Sequence, residues 1–422
     1  MAETGVTGAL VEQIVLKLLH YRGELVGKDL AAILGLKYSV IEPIMDSLKW
    51  QHLIAVKKSL GMGNASAIFM LSEAGRNAAR DYLATNQYAG SVPVPLNQYT
   101  EMVKKQKQAP NWISMDKLHA AYRHMVVSED TMSKIGPAVN SGKSFLVYGQ
   151  PGNGKTALAE ALGSMNREPI YIPYAIECQG NIIQMYDPIY HHKIEDVNND
   201  GPLVFAISQD SKYDQRWFRA PRPFITSGGE LTLEMLDLSF NQGSKIYEAP
   251  FQMKANNGIY LIDDFGRQRA TPAEVLNRWI VPMERQIDFL SFLTGGKMLI
   301  PFEAFLIFST NLRPESLGDE AFLRRIQYKM LVKSPDLKEF RDIFVRFCQG
   351  KKLDFEPAIV DYLVEEHYVP AGKPFRRCQP RDIVTHAIDL INFENRDWKL
   401  SKEILDQAFL SCFVKEDEFN HM

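Results

Sequence analysis

A chain of 422 residues has room for two or three domains at roughly 150 residues each. With 45% apolar and 23% charged residues it has the composition of a folded protein, not of a disordered one. A formal net charge of −3 excludes a global pull towards nucleic acid or anionic lipid, so any polyanion binding has to be local.

From the N-terminus, Leu10, Val11, Ile14, Val15, Leu18 and Leu19 share one helical face, and Leu30, Ile33 and Leu34 continue the pattern in a shorter helix stopped at Gly35. A third helix is predicted from about Ser39 to Trp50. Leu53 to Lys58 and Ile68 to Leu71, separated by Gly61 and Gly63, read as a hairpin, and Ser72 is placed to cap a last helix. Three helices and a two-stranded wing resemble a winged-helix domain, a layout used to read DNA. The charge balance is poor for that role: Met1 to Gly90 carries nine basic and eight acidic residues, and the third helix has Glu42 and Asp46 against Lys49. DNA binding and docking of a protein partner therefore both stand for residues 1–90.

The stretch AGSVPVPLNQY from Ala89 reads as a semi-rigid linker, residues 91–114, because it holds two prolines in four residues and little periodicity. Within it, Tyr99 to Gln108 is polar and lysine-rich, a solvated helix by composition. Glu3 precedes any apolar stretch and no window of about 18 uncharged apolar residues occurs, so neither a signal peptide nor a membrane span is expected, and the expected location is the cytoplasm. Cys178, Cys348, Cys378 and Cys412 lie far apart without C-x-x-C spacing, which predicts reduced thiols. His191 and His192 lack a third ligand at metal spacing, so zinc is not expected.

The most informative segment is GQPGNGKT: Gly149, Gln150, Pro151, Gly152, Asn153, Gly154, Lys155 and Thr156. It follows the apolar run Phe145 to Tyr148 and precedes the helix-forming ALAEALGSM, so backbone N–H groups and a positive helix end converge on one point. That is a site for a triphosphate, with Lys155 for the β and γ phosphates and the Thr156 hydroxyl for Mg²⁺. Downstream, Ile259 to Ile262 reads as a buried parallel strand ending in two acids. Asp263 is the candidate for holding Mg²⁺ through its water shell, and Asp264 for orienting or deprotonating the attacking water. A second apolar run, Phe305 to Phe308, delivers Asn311 to the same edge, where its amide can bond that water or the γ phosphate. Arg324 and Arg325 follow a short helix, and paired arginines suit bidentate recognition of phosphate oxygens.

The set GQPGNGKT, IYLIDD, FSTNL, DEAFLRRI and CQPRDI, in this order and spacing, resembles the AAA+ ATPases over roughly Met115 to Val414. The resemblance implies an α/β fold, a P-loop parallel sheet (115–335) with a C-terminal helical lid (336–422), here preceded by the small winged-helix-like α+β domain (1–90). It implies ATP and Mg²⁺ as cofactors, ATP hydrolysis in a homo-oligomeric ring that is hexameric, and work done on a protein client. Arg324 or Arg325 would then reach the neighbouring subunit's nucleotide, and Arg381, placed by Pro380 in the first turn of a helix, would contact nucleotide from the lid; Arg376 and Arg377 read as surface charges. KIYEAPFQMKANNGIYLIDD is similar to the approach in the clade with an insertion in its second sheet helix, which includes MoxR-like chaperones. An ATP-switched DNA-binding regulator or loader is the alternative. Two departures stand out: family members usually carry glutamate where Asp264 stands, and Gln179-Gly180-Asn181-Ile182 offers no aromatic pore residue. The run YDQRWFRAPRPF from Tyr213 mixes aromatics with arginines that could stack on bases, or could be buried rings beside charges.

Overall fold

A computed structural model describes residues 4–61, 63–109, 111–165, 168–194, 214–318 and 320–413. The centre of the α/β fold is a five-stranded parallel sheet in the order Phe224–Ser227, Ile259–Ile262, Phe305–Thr310, Phe145–Tyr148, Tyr328–Leu331. Register is tight around the second-last strand: Ile307 pairs with Phe145 and Thr310 with Tyr148 on one side, Tyr328 with Phe145 on the other. These strands read as unbroken apolar runs because both faces are covered, and Leu146, Leu261, Ile262, Ile307 and Phe308 are buried. Parallel pairing sets the C-terminal ends of three strands side by side, so Gly149, Asp263 and Asn311 leave the sheet at one edge.

Two compact units make up the chain. The first comprises Met1–Ala109, Asn166–Tyr260 and Arg269–Phe305. Its N-terminal part has helices Gly8–Arg22, Gly27–Leu34 and Tyr38–Trp50, and Val11, Ile14, Val15, Leu30, Ile41 and Leu48 fill their common core. The hairpin Ile54–Ser59/Ala67–Leu71 gains a third strand, Glu24–Val26, antiparallel to Ala67–Leu71. Three residues between two helices are too few to show a period of two, so the sequence does not announce this strand. Ser72 Oγ accepts from Gly75 N at 3.0 Å and starts helix Glu73–Thr85.

Where a linker is expected, the chain is structured. Val92 and Val94 are buried, Val94–Pro95 pairs parallel with Ala175–Cys178, and helix Leu96–Lys105 buries Tyr99 and Val103. The two-residue strand closes one edge of a second sheet whose other members are Ala175–Cys178, Asn181–Gln184, Ile246–Glu248 and Ser239–Asn241. Edge position is what admits prolines, since no outer neighbour needs their missing N–H. The run that mixes aromatics with arginines is structural among its described residues, buried rings beside charges. Trp217 and Phe218 are buried in a strand paired with Ile170–Pro173. Arg216 is buried against Asp214, and Arg222 donates to the carbonyls of Asn257 and Gln106. Tyr213 lies outside the described residues. His191 is a core residue, with Nδ1 accepting from Asp187 N and Nε2 3.0 Å from the Lys254 carbonyl.

The second unit comprises Pro110–Met165, Leu261–Gln268 and Leu306–Met422. Its C-terminal helices Leu337–Gly350, Ala358–Leu363, Gln379–Phe393 and Lys402–Cys412 pack Phe340, Phe344, Leu363, Ile383, Ala387, Ile391 and Leu405 into one core. The apolar stripes at 340–347 and 383–391 are thus packing surfaces. Cys178, Cys348, Cys378 and Cys412 are free thiols. Among the described residues no helix is long and apolar enough to cross a membrane.

Candidate nucleotide-binding site

The site is built where strand Phe145–Tyr148 turns into helix Lys155–Gly163, entirely within the second unit. Gly149 is required at the start of the turn: its φ is 148°, and a Cβ there would lie 2.5 Å from the Val332 carbonyl oxygen. Gly149 N donates to Thr310 O at 3.2 Å, which pins the loop to the adjacent strand. Gly154 caps the helix in the left-handed region, and among the described residues no side chain caps the helix start, an arrangement that suits an anion.

Lys155 is buried, and its Nζ donates to the carbonyls of Gly149 (3.0 Å) and Gln150 (3.1 Å) and to Asn311 Oδ1 (2.6 Å). Burial pulls its pKa below the ordinary lysine value, while the carboxylates of Asp263 and Asp264 oppose that shift. Asn311 passes the connection on, because its Nδ2 donates to Asp264 Oδ1 at 2.8 Å. Beside this chain of bonds, Thr156 Oγ1 donates to Asp263 Oδ2 at 2.8 Å, and Asp264 N donates to Asp263 Oδ1 at 3.0 Å. A hydroxyl and a carboxylate at this distance form an all-oxygen pair, the donor type that Mg²⁺ takes alongside phosphate oxygens. Lys155, Thr156, Asp263, Asp264 and Asn311, separated by up to 156 positions, thus form one hydrogen-bonded group.

The remaining loop residues divide by exposure. Gln150 and Pro151 are exposed. Asn153 is buried; its Nδ2 donates to Ser334 Oγ at 3.2 Å and its Oδ1 is buried without a partner among the described residues. Next to Asn153 lies a cavity of about 280 Å³ walled by Val126, Leu158, Val332, Ser334 and Arg377. Its mix of apolar walls and a few polar groups suits a flat heterocycle carried by a phosphate chain.

The arginines are placed differently. Arg324 is exposed and Arg325 half-buried, just beyond helix Glu320–Leu323, and neither belongs to the Lys155–Asn311–Asp264 chain of bonds. Arg381 does sit in the first turn of helix Gln379–Phe393, but its guanidinium faces solvent and pairs with Asp382 at 2.9 Å. The lid meets the phosphate loop through residues read from the sequence as surface charges and a plain thiol. Cys378 N donates to Gly152 O at 2.9 Å, and its Sγ is 2.6 Å from where a Cβ on Gly152 would stand. Arg376 Nη1 donates to Ser334 Oγ at 2.5 Å, the same hydroxyl that Asn153 engages. Arg377 joins the Val126 carbonyl (2.7 Å) to Glu339 (2.8 Å) at the cavity wall. The signal for these two was faint: they precede Cys378 and Pro380 at a helix start, but their direction depends on the turn before it.

A family model described as a domain of unknown function (DUF8689) matches residues 336–411. No curated protein matches the chain. Among solved structures, the chain is similar to the RuvB Holliday junction branch migration motor of Thermotoga maritima, 14% identical over 67% of this chain and 68% of that one, with a TM-score of 0.37. It is also similar to NtrX from Brucella abortus, 12% identical over 82% of this chain and 64% of that one, with a TM-score of 0.37.

Proposed function

We propose that this chain is an ATPase of the AAA+ type, which couples hydrolysis of Mg-ATP in a homo-oligomeric, hexameric ring to the remodelling of a protein partner. The observation that carries the reading is the single hydrogen-bonded group Thr156–Asp263 and Lys155–Asn311–Asp264 at the edge of a parallel sheet, beside a helix start that no side chain caps among the described residues. Lys155 exchanges its two loop carbonyls for the β and γ phosphates, and the N–H groups of the loop bind the bridging oxygens. Thr156 and Asp263 would hold Mg²⁺, which supplies positive charge across those phosphates. Asp264 accepts a proton from the attacking water while Asn311 fixes its direction, so a phosphorus–oxygen bond forms to water as the bond to ADP breaks. Arg324 or Arg325, exposed or half-exposed on its own subunit, completes the charge balance in a neighbour's site. On the lid side, Arg376 is the better-placed contact to bound nucleotide than Arg381, because Ser334 holds it against Asn153.

The N-terminal part, read as winged-helix-like, is assigned to docking a protein client. Two of its basic groups are neutralised within the module, Lys49 by Asp46 and Lys57 by Glu24, while Trp50 is 87% exposed and Tyr21 and Val56 are exposed. Paired lysines release few phosphate counterions, and exposed aromatics favour protein contacts. The strands inserted between the phosphate loop and Ile259–Ile262 support the insert-bearing, MoxR-like type. The test is Mg²⁺-dependent ATP hydrolysis whose specific rate rises with protein concentration. A rate independent of concentration removes the shared-site part. Steep, salt-sensitive retention of duplex DNA by the full chain replaces protein docking with the DNA-regulator reading.

A further inference from the structure

The turn after Asp263 departs from a simple strand end. Asp264 has φ +49°, in the left-handed region that is strained for a side-chain-bearing residue and that aspartate tolerates better than glutamate. Several bonds hold this turn. Phe265 is buried, its N donating to Ser309 O at 2.7 Å and its O accepting from Thr310 Oγ1 at 2.6 Å. Gly266 has φ +102°, and a Cβ there would come within 2.7 Å of Leu312 Cδ1. The two ends of the turn are joined by one side chain: Gln268 Nε2 donates to the Asp263 carbonyl at 2.8 Å, while Gln268 Oε1 accepts from Gly266 N at 2.7 Å.

Resting on the ATPase reading, we infer that Gln268 is a positioning residue for Asp264, and that the left-handed turn it clasps replaces the reach that a glutamate side chain would otherwise provide. The physical reasoning is short. An aspartate carboxylate stands one methylene nearer its backbone, and a displacement of about 1 Å in a water-activating group costs roughly 100-fold in rate. In this inference the left-handed backbone answers that deficit, and the φ of Asp264 is one that a short polar residue adopts with least strain. Both polar atoms of the Gln268 side chain are engaged by the backbone of the turn, so it acts on Asp264 through the turn, as supporting residues of a reactive group do.

The experiment compares full-length wild type with Gln268→Ala, Gln268→Glu, Asp264→Glu and the double variant Asp264→Glu/Gln268→Ala, measuring kcat, KM for ATP, nucleotide affinity and melting temperature. Gln268→Ala is expected to lower kcat about 10- to 100-fold while KM and affinity stay within about twofold. Gln268→Glu, which keeps the acceptor for Gly266 N and loses the donor to Asp263 O, is expected to lose part of the same rate, and it carries the test if the alanine variant does not fold. Asp264→Glu alone is expected to be slower than wild type. The deciding result is the double variant: once the turn relaxes, the longer acid recovers reach, so it is expected to exceed Gln268→Ala. Gln268 variants with wild-type kcat, or a double variant no faster than Gln268→Ala, overturn the inference while leaving the ATPase reading intact. A wild type that binds ATP and never hydrolyses it overturns both.

Discussion

The phosphate side and the lid side of the second unit were assembled by different kinds of information. On the phosphate side, Lys155, Thr156, Asp263, Asp264 and Asn311 come together as their sequence positions imply, because each stands directly at the end of a parallel strand or the start of the helix that follows one. On the lid side, Arg381 occupies the helix start it was given, yet points to solvent, and Arg376 and Arg377, five and four positions earlier, make the inward contacts. A strand end leaves little choice of direction. Arg376 and Arg377 precede the helix that begins at Gln379, so no helical period sets their direction and the turn decides which arginine faces inward.

The sharpest tests of this contrast begin with the arginines proposed to act on a neighbour. Replacing Arg324 or Arg325 with alanine is expected to leave ATP binding intact and to lower turnover by about 10³ or more for whichever one reaches across, measured as steady-state phosphate release. If both variants hydrolyse ATP at the wild-type rate, the site is complete within one chain. Next in size, Asp264→Asn is expected to cost about 10² to 10⁴ in kcat with nucleotide affinity preserved, and to give a form that captures its client in the ATP state.

A smaller effect separates the two lid arginines directly. By fluorescence titration, Arg376→Ala is expected to weaken ATP affinity about tenfold, the typical scale of one charge-assisted contact, while Arg381→Ala changes it by less than about twofold. The reverse order restores the assignment implied by the family resemblance. The smallest effect is on the pH profile. Binding needs the protonated Lys155, and burial lowers its pKa, so kcat/KM is expected to fall at a pH below that at which an ordinary lysine loses its charge. Lys155→Arg, charged throughout this range, is expected to lose that alkaline limb along with much of its activity.

Other parts of the molecule follow the same division. Helix Gly8–Arg22 was legible because its apolar residues repeat at helical spacing. Val94–Pro95 and Glu24–Val26 were not, since strands this short exist through their partners, Ala175–Cys178 and Ala67–Leu71, which are distant in the chain. Trp217 and Phe218 read from the sequence as buried rings or as stacking platforms, and their strand partner makes them core.

Sequence alone determined the candidate nucleotide-binding residues, through residue types whose geometry is local: glycines that permit the loop, a lysine and threonine at a helix start, and acids and an amide at strand ends. Tertiary structure decided everything that depends on direction or on a distant partner: which lid arginine turns inward, that the expected linker is part of a sheet, and that Gln268 clasps the turn carrying Asp264. Backbone periodicity extends over a few residues and is written in the chain. Side-chain direction beyond a turn is set by what packs against it, and that is known only once the chain has folded.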